Sequence, residues 1–472
     1  MPSAADFPYL RSTVHIDVSG HSLSETTLYD VQFYPYTPPG VDPVFAVTGG
    51  RHTFVCRPVL ERDNSVEFLR EFLDEDEDLI LNSLVWSQDL HNGDPLLCVA
   101  GSPSSVIRIL NVRTGKLVRS LTGHGAAIND LAISPLSPAI LASASEDHSI
   151  RIWHLDPQYS RQPCPVICSG SEGHRDRSFH HTGKYLLSGA MDSAVKLWAI
   201  PEIPDEHTGT DRVNVIHYPH FSSTEIHSDM VDCVLFYGDL ILSRAAKENQ
   251  IFLWKIDGFN SSNAPPPLSS AGQHEAFGIS NPYESSDAYG TTSSAFGRRF
   301  QRLLSFDTPI TSLFYNRFNL FHAPNKHPIL VMGNEKSKFM FWDLQRLEQT
   351  CQSDENIKME NIFRIPNKRK RSERDGPGLG MGRGGLLQRE ESIASNASSG
   401  TSATSNNSNG AKSKGSKKAW SISDPFVPIP SQKNIIVPKM TFCSRRIAWS
   451  VGGEWAVAVG DHGMVCLFRR WE

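Results

Sequence analysis

Cysteine is scarce in this chain, and long apolar runs are missing. The 472 residues include eight cysteines, too few for the disulfide framework of small secreted proteins. The N-terminal segment has no basic stretch followed by an apolar one, so we expect no secretory signal. No segment reaches the ~18 consecutive apolar residues of a membrane span. These absences predict a soluble protein of a reducing, intracellular compartment, with no membrane partner.

A large excess of charge of one sign is also missing. The 46 basic and 51 acidic residues leave a net charge of -5. This balance excludes a chain that coats nucleic acid along its whole length, and it excludes an acidic, solvating chain. An auxiliary DNA contact through a basic cluster such as Lys412–Lys418 stays open.

Recognisable catalytic motifs are absent as well. The sequence has no Gly-rich phosphate loop, no GxSxG and no HExxH. Cys164 and Cys168 lie near His174, but their spacing is poor for zinc and a fourth ligand is not apparent. We therefore expect neither an enzyme nor a bound cofactor or metal.

Two segments have a composition that cannot form a core. Residues 259–305 are rich in Ser, Pro and Gly, and residues 366–436 contain Gly-rich and Ser/Asn-rich runs. Such sequence buries too little apolar area to offset its ordering entropy, so we predict two disordered inserts. A basic run in the second insert predicts a nuclear-import signal and hence a nuclear location, with a solvated loop edge as the alternative. The run consists of Lys368, Arg369, Lys370 and Arg371.

Short strand-like runs recur through the rest of the chain. The step from Leu110 to Trp153 is 43 residues, and the step from Trp153 to Trp198 is 45. A period of this length with a terminal Trp is typical of a four-stranded WD blade. The sequence therefore predicts an all-β fold, a seven-bladed WD-repeat β-propeller with two disordered inserts. The strands that close the blades are expected to end near Cys56, Leu110, Trp153, Trp198, Trp254, Trp342 and Phe468.

A propeller must close its ring, because an unpaired blade edge invites aggregation. Residues 13–18 alternate as a strand does. We predict that they supply the outer strand of the blade formed by residues 442–468, so that residues 13–472 form one propeller.

Polar residues recur in phase with two of the tryptophans. A buried imidazole, carboxylate or indole N–H needs a hydrogen-bond partner, and in WD repeats such residues form a network inside one blade. They resemble catalytic dyads, but their repetition favours a structural role. The two sets are His124, Ser143, Asp147 and Trp153, and His174, Ser188, Asp192 and Trp198.

The second of these blades is short. His124 lies 17 residues before Leu141, whereas His174 lies 12 before Leu186. We therefore expect the inner strand of blade four to be clipped by about five residues. Either a distorted strand survives or the sequence reflects an errant exon junction.

Several stretches resemble one family more specifically. IHSDMVDCVLFYGDLILS (residues 226–243), together with EGHRD and FMFWDL, is similar to the extra sex combs / embryonic ectoderm development family. Its members are the WD-repeat subunits of Polycomb repressive complex 2, and the resemblance covers almost the whole chain outside the inserts. It implies a non-catalytic protein that holds the SET-domain histone methyltransferase, in company with a zinc-finger subunit of the suppressor of zeste family. A generic WD scaffold, such as a ubiquitin-ligase substrate receptor, is the alternative.

The resemblance also implies a site. Family members read trimethyl-lysine on the histone H3 tail with an aromatic cage, and reading the mark stimulates the methyltransferase. At one cage position the family has tyrosine and this chain has Asn82, so we expect a weakened reader. An alternative alignment puts Ile310 and Thr311 at cage positions, which leaves almost no cage. In a separate alternative, Tyr29, Phe314 and Tyr315 are ordinary blade core. The cage positions implied by the resemblance are Tyr29, Asn82, Phe314, Tyr315 and Arg445.

Overall fold

The structure is a computed structural model of the chain. It describes residues 7–16, 27–38, 40–60, 65–170, 173–206, 208–267, 292–297, 299–349 and 424–471. Within these ranges lie strands β1–β30 and a short helix, α1, at residues 344–349. No helix in the described ranges has the length and apolar character needed to cross a bilayer.

The strands form seven separate sheets. The first strand, β1 (Tyr9–His15), belongs to the last sheet. Blade one consists of β2 (Asp30–Phe33), β3 (Phe45–Gly49), β4 (His52–Pro58) and β5 (Val66–Leu73). Blade two consists of β6 (Ile80–Gln88), β7 (Pro95–Ser102), β8 (Ile107–Asn111) and β9 (Lys116–Leu121).

Blades three and four each carry a fifth strand at the outer edge. Blade three consists of β10 (Ile128–Ile133), β11 (Ile140–Ser145), β12 (Ser149–His154), β13 (Val166–Ser169) and β17 (Asn214–Ile216), the last parallel to β13. Blade four consists of β14 (His174–Phe179), β15 (Tyr185–Ala190), β16 (Val195–Ala199), β18 (Phe221–Ser223) and β22 (Thr292–Ser294).

The remaining blades have four strands each. Blade five consists of β19 (Val231–Tyr237), β20 (Leu240–Ala245), β21 (Gln250–Ile256) and β23 (Phe300–Asp307). Blade six consists of β24 (Asn319–Phe321), β25 (Ile329–Gly333), β26 (Lys338–Asp343) and β27 (Lys433–Ile436). Blade seven consists of β28 (Ser444–Trp449), β29 (Trp455–Gly460), β30 (Met464–Arg469) and β1.

The blades stand around a central channel, and apolar residues fill the spaces between neighbouring blades. Seven hydrophobic clusters are present, each joining residues of two adjacent blades. Trp153 of blade three packs with Val85 and Ile109 of blade two, and Trp198 packs in the same way against blade three. A buried indole contributes a large apolar area to each such interface. The predicted seven-bladed propeller is confirmed.

The tryptophans mark a different strand from the one predicted. Trp153 lies in β12, the third strand of its blade, and β13 pairs outside it. Trp198 in β16 likewise has β18 outside it. The expectation that these strands close the blades is wrong, because the outermost strand is supplied by the sequence that follows the Trp.

The last blade takes its outer strand from the start of the chain. In the antiparallel pair of β1 and β30, Val14 lies opposite Val465. The strand was expected over residues 13–18 but spans Tyr9–His15, because Leu10 and Val14 both pack against core clusters. Residues 17–26 lie outside the described ranges.

The first predicted insert is too long at both ends. Strands β22 and β23 fall inside residues 259–305, and β23 is the outer strand of blade five. Phe306 is buried, and Leu303 and Leu304 pack on the same cluster. The Ser- and Gly-rich flanks obscured this apolar run. The expectation of disorder now concerns residues 268–291, which lie outside the described residues.

The second predicted insert is also too long. Strand β27, within residues 366–436, pairs with β26 as the outer strand of blade six. Ile429 is buried, and its carbonyl accepts a hydrogen bond from the Trp342 indole at 3.1 Å. Residues 350–423, which include the proposed import signal and Lys412–Lys418, lie outside the described ranges.

The inner strand of blade four is complete. β14 has six residues, as β10 has, and His174 lies opposite Ala190 as Ile128 lies opposite Ser145. The expectation of a clipped strand is therefore wrong, because the missing residues belong to the connector between the histidine and the strand. The consequence is that polar side chains occupy this strand, and Arg177 sits at the register position of Leu131.

Candidate functional site

The site is assembled at the end of the channel where the inner strands begin. Tyr29 immediately precedes β2, Phe314 and Tyr315 precede β24, and Asn82 and Arg445 lie near the starts of β6 and β28. Four different blades therefore contribute the five residues that the family resemblance singled out. The structure brings all of them around Tyr315.

Three aromatic rings form the centre of the site. The ring centroids of Tyr29 and Tyr315 are 5.8 Å apart at an interplanar angle of 69°, and those of Phe314 and Tyr315 are 4.1 Å apart at 62°. All three residues are half-buried, and none belongs to a hydrophobic core cluster. The alternative in which they are blade core is therefore not supported. Edge-to-face rings that keep a solvent-facing side offer the negative π-surface that a methylated ammonium requires.

Ile310 and Thr311, the positions of the alternative alignment, do not join the ring group. Thr311 is buried, and its hydroxyl donates to the Thr308 carbonyl at 2.7 Å. Ile310 is 48% exposed and belongs to none of the described aromatic contacts. Neither residue lies at a position equivalent to the rings.

The backbone of the aromatic loop is held in an unusual conformation. Tyr315 has φ of 59°, in the left-handed region that a bulky residue rarely adopts. The buried Arg244 guanidinium donates hydrogen bonds to the carbonyls of Thr311 and Leu313 and fixes the preceding turn. Such local strain persists only where the surroundings impose it, and it clusters at binding sites.

A recurrent β-bulge directs polar side chains into the site. The register of the inner strand shifts by one residue in blades two, three, four, five and seven. A bulge re-aims the extra side chain, so the extra residues point toward the channel mouth rather than along the sheet. These residues are Asn82, Asn129, Arg175, Asp232 and Arg445.

A chain of hydrogen bonds joins three of the blades at the site. The Tyr315 hydroxyl donates to Asn129 Oδ1 at 3.2 Å, and Asn82 Nδ2 donates to the Tyr315 oxygen at 3.1 Å. Burial raises the pKa of Tyr315 to about 12, so its hydroxyl keeps the proton that it donates. Sequence reasoning missed Asn129 and Arg175, although both recur in phase with Asn82, at steps of 47 and 46 residues.

Besides Arg317, whose guanidinium is 5.1 Å from the Tyr315 centroid, two arginines lie beside the rings, each paired with a carboxylate. The Arg445 guanidinium is 5.9 Å from the Tyr29 centroid, donates to the Phe314 carbonyl and pairs with Asp461 at 2.8 Å. Arg175 is 5.3 Å from the Phe314 centroid and pairs with Glu146 at 2.8 Å. Both cations are locally neutralised, which leaves the rings free to attract another cation.

Below the rings, buried charges line the channel. Arg317 pairs with Asp130 at 2.9 Å and lies 3.6 Å from Asp176, and Arg446 pairs with Asp30 at 3.1 Å. Burial raises the pKa of Asp30 and of Asp176, whereas three nearby arginines outweigh burial and hold the pKa of Asp130 well below its usual value. A cavity of about 650 Å³ extends from these charges toward the other end of the channel.

The predicted polar network is present in blade three. His124 Nδ1 lies 2.8 Å from Asp147, His124 Nε2 lies 2.6 Å from the Ser143 hydroxyl, and that hydroxyl accepts from the Trp153 indole at 2.7 Å. An ionised carboxylate can only accept, so Nδ1 carries the proton. Burial lowers the pKa of His124, which fits a neutral ring at the centre of the network.

Blade four retains only part of that network. The Trp198 indole donates to Ser188 at 3.0 Å, and the Asp192 carboxylate accepts from the Ala194 amide. Neither ring nitrogen of His174 has a hydrogen-bond partner among the described residues. The prediction that His174 matches His124 is therefore wrong, because the shortened connector places His174 in the strand itself.

Blade five holds a full network that sequence reasoning missed. His227 lies 2.6 Å from Glu248 and 2.7 Å from Ser243, which also accepts from the Trp254 indole at 2.9 Å. Glu248 stands six residues before its Trp, as Asp147 does. The signal was present, but a glutamate took the place of the expected aspartate.

The two cysteines considered as metal ligands lie in β13 or just before it. Cys164 and Cys168 are buried thiols, and burial raises the pKa of both. Among the described residues, no three His, Cys, Asp or Glu side chains stand close enough together to hold a metal ion.

Comparison with known proteins supplies a family for this architecture. The family model described as "WD domain, G-beta repeat" matches residues 115–154 and 165–199. The Polycomb protein EED of Chaetomium thermophilum is 35% identical over 525 aligned positions, which cover 94% of this chain and 91% of that protein.

Solved structures also show similarity to a Polycomb subunit. A chain in the humanised mutant of Chaetomium thermophilum Polycomb Repressive Complex 2, bound to an inhibitor, matches with a TM-score of 0.80 at 33% identity over 99% of both chains. A chain in the same complex with H3K27me3 matches with a TM-score of 0.76 at 32% identity, over 99% of this chain and 98% of that one. The chain therefore belongs to the extra sex combs / embryonic ectoderm development family of WD-repeat Polycomb proteins.

Proposed function

We propose that this chain is the non-catalytic scaffold and histone-reading subunit of a Polycomb repressive complex 2. In this role it holds the SET-domain histone H3 lysine methyltransferase, together with the zinc-finger subunit of the suppressor of zeste family. Binding of methylated histone H3 at the channel mouth stimulates that methyltransferase. The observation that carries the proposal is the group of Tyr29, Phe314 and Tyr315 rings at one end of a propeller that matches a Polycomb subunit along nearly its full length.

The physical basis of reading is the desolvated face of an aromatic ring. A methylated ammonium is weakly hydrated, and each ring within about 6 Å contributes on the order of 0.5–2 kcal/mol of attraction. Tyr29 and Phe314 flank Tyr315 closely enough for one cation to meet more than one ring. The nearby arginines are paired with carboxylates and do not oppose the ligand with a full free charge.

The scaffold role is tested by affinity purification of the tagged chain from nuclei. We expect a SET-domain methyltransferase among the recovered proteins, and we expect its activity on histone H3 to fall when this subunit is removed. Recovery of cullin-ligase adaptors without any methyltransferase would instead identify a ubiquitin-ligase receptor and overturn the proposal.

The reader role is tested by titrating histone H3 peptides with and without methylation on one lysine. The Tyr29→Ala variant should weaken binding of the methylated peptide about tenfold, whereas Tyr218→Ala removes an aromatic ring that is 62% exposed elsewhere and should change nothing. Equal affinity of the unaltered protein for methylated and unmodified peptides would remove the reader role and leave the scaffold role standing.

The nuclear location is part of the same proposal. The basic run Lys368–Arg371 supplies the charge density that import receptors recognise. Replacing its four residues by alanine in a fluorescently tagged chain should leave the protein in the cytoplasm. If the altered chain still accumulates in nuclei without binding its complex, another segment carries the import signal.

A further inference from the structure

The side chain of Asn82 carries an unused acceptor at the site. The residue is 5% exposed, and its Oδ1 has no hydrogen-bond partner among the described residues. A buried carbonyl oxygen without a donor is uncommon in native proteins, and each instance calls for an explanation. The position is also the one where the family's tyrosine is replaced.

The orientation of the Asn82 amide follows from its neighbours. The Asn129 amide is fixed because its Oδ1 accepts from Arg175 at 3.0 Å and its Nδ2 donates to the His174 carbonyl at 2.9 Å. The Tyr315 hydroxyl therefore donates to Asn129 Oδ1. Its oxygen can then only accept from Asn82, so the amino group of Asn82 faces Tyr315 and the carbonyl oxygen is left over.

The methyl count of a lysine decides whether it can use this oxygen. A trimethylammonium has no N–H, a dimethylammonium has one and a monomethylammonium has two. We propose that Asn82 makes this site selective for dimethyl-lysine, with Oδ1 accepting the ammonium N–H while Tyr29, Phe314 and Tyr315 contact the methyl groups. This inference rests on the proposed reader function and specifies which ligand that site prefers.

The preference has two opposing parts. Trimethyl-lysine gains one more methyl contact with the rings but leaves Oδ1 buried without a donor. Dimethyl-lysine satisfies Oδ1 with a charge-assisted hydrogen bond, which is about twice as strong as a neutral one. Monomethyl-lysine can also donate, but it offers the rings fewer methyl groups and a more hydrated head. Dimethyl-lysine should therefore bind about tenfold more tightly than trimethyl-lysine.

The test uses the full chain and four histone H3 peptides that carry zero, one, two or three methyl groups on the same lysine. Calorimetric titration should rank dimethyl above trimethyl by about tenfold, with the unmodified peptide weakest. Asn82→Leu removes the acceptor and should bring the two affinities within about twofold. Asn82→Tyr adds a ring and should reverse the order in favour of trimethyl-lysine.

Ile80→Thr is the matched control, because Ile80 is 47% exposed on the same strand and should leave the ranking unchanged. Thermal melting of each variant checks that it is folded. One contrary result is that the unaltered protein binds the trimethyl and dimethyl peptides with equal affinity, and both more tightly than the unmodified peptide. That result would overturn the selectivity and leave the reader function standing. If the affinity does not depend on methylation at all, the selectivity and the reader function are both refuted.

Discussion

At the scale of single residues, one serine hydroxyl links an indole to an imidazole inside a blade. In blade five Ser243 contacts both His227 and Trp254. In blade four Ser188 accepts from the Trp198 indole, and the ring nitrogens of His174 have no hydrogen-bond partner among the described residues. The same residue type at equivalent positions therefore satisfies two partners in one blade and one in the other. This difference makes the two serines a natural matched pair.

Replacing each serine by alanine should have unequal effects. Ser243→Ala leaves a buried imidazole nitrogen and a buried indole N–H without partners, and should lower the free energy of unfolding by about 2–4 kcal/mol. Ser188→Ala leaves only the indole unpaired and should lower it by about 1–2 kcal/mol. Urea denaturation followed by tryptophan fluorescence gives both values, and equal losses would contradict the argument.

His174 should give the protein a specific sensitivity to acid. Burial lowers the pKa of His174 to about 3, whereas the ring titrates near 6.5 when unfolded. The folded pKa is depressed, so the stabilisation is present above pH 6.5 and is lost as the pH falls toward 3. Between pH 7.5 and 4.5 the protein should lose about 2.5 kcal/mol more stability than the His174→Leu variant. Denaturation of both proteins at the two pH values measures these losses. An equal loss of stability in the unaltered protein and in the His174→Leu variant would refute the prediction.

At the scale of secondary-structure elements, the inner strand of blade four buries three ionisable side chains, His174, Asp176 and Arg177. Arg177 is buried where blade three has Leu131, and within the described ranges two of its guanidinium nitrogens lack a hydrogen-bond partner. Its contact with Asp130 is 3.3 Å, and Asp130 is also held by Arg317. The strand forms because neighbouring blades hold it, and not because its sequence favours a core position.

Arg177→Leu should therefore stabilise the protein. The change removes two buried nitrogens that lack hydrogen-bond partners among the described residues and restores an apolar contact. It gives up the donation from Arg177 Nε to the Ala142 carbonyl, and Asp130 stays paired with Arg317. The balance should raise the free energy of unfolding by about 1–3 kcal/mol. Arg177→Lys keeps a buried charge and should give no gain. A lower melting temperature for the leucine variant would show that the guanidinium stabilises the protein through Asp130 by more than its burial destabilises it.

Strand β1 has a role that its length does not suggest. It covers the edge of β30, and Val14 adds to the cluster between blades seven and one. A variant without residues 1–16 should expose that edge, melt at a lower temperature and aggregate at lower concentration. Adding a peptide of residues 7–16 in excess should raise the melting temperature again. If the shortened protein stays equally stable and monomeric, the strand is not needed for closure.

The sequence predicted the blades well where side chains repeat and poorly where they do not. The buried Trp153 and Trp198 recur at a fixed step because each fills the same space against the preceding blade. The outer strands β23 and β27 do not have to fill such a fixed space. Their composition therefore resembles that of the inserts beside them. Ring positions such as Tyr29 came from family resemblance, whereas Asn129 depends on a bulge that hydrophobic patterning does not reveal.

At the scale of the whole molecule, buried arginines and aspartates from different blades pair across the channel. Arg317 in blade six reaches Asp130 in blade three and Asp176 in blade four. Such pairs across the ring are buried, so removing one partner leaves a charge that water cannot solvate. They specify which blades face each other more than they add to stability.

Arg317→Met should be among the most damaging single changes. We expect a loss of about 3–5 kcal/mol, because two buried carboxylates lose their main counter-charge. Arg57→Met breaks the exposed pair with Glu67 in blade one and should cost less than about 1 kcal/mol. Denaturant titration of the two variants side by side measures the contrast, and similar losses would mean that the channel charges are solvated.

The pairing of β1 with β30 also sets the order of events during synthesis. Residues 9–15 are made before the other strands of the ring, and their partner strand, residues 464–469, follows roughly 20–90 s later at ordinary elongation rates. Six blades can form during that interval, but the seventh cannot acquire its outer strand. A nascent chain therefore carries β1 unpaired until β30 is made, and chaperones that shield extended apolar segments would find their substrate there.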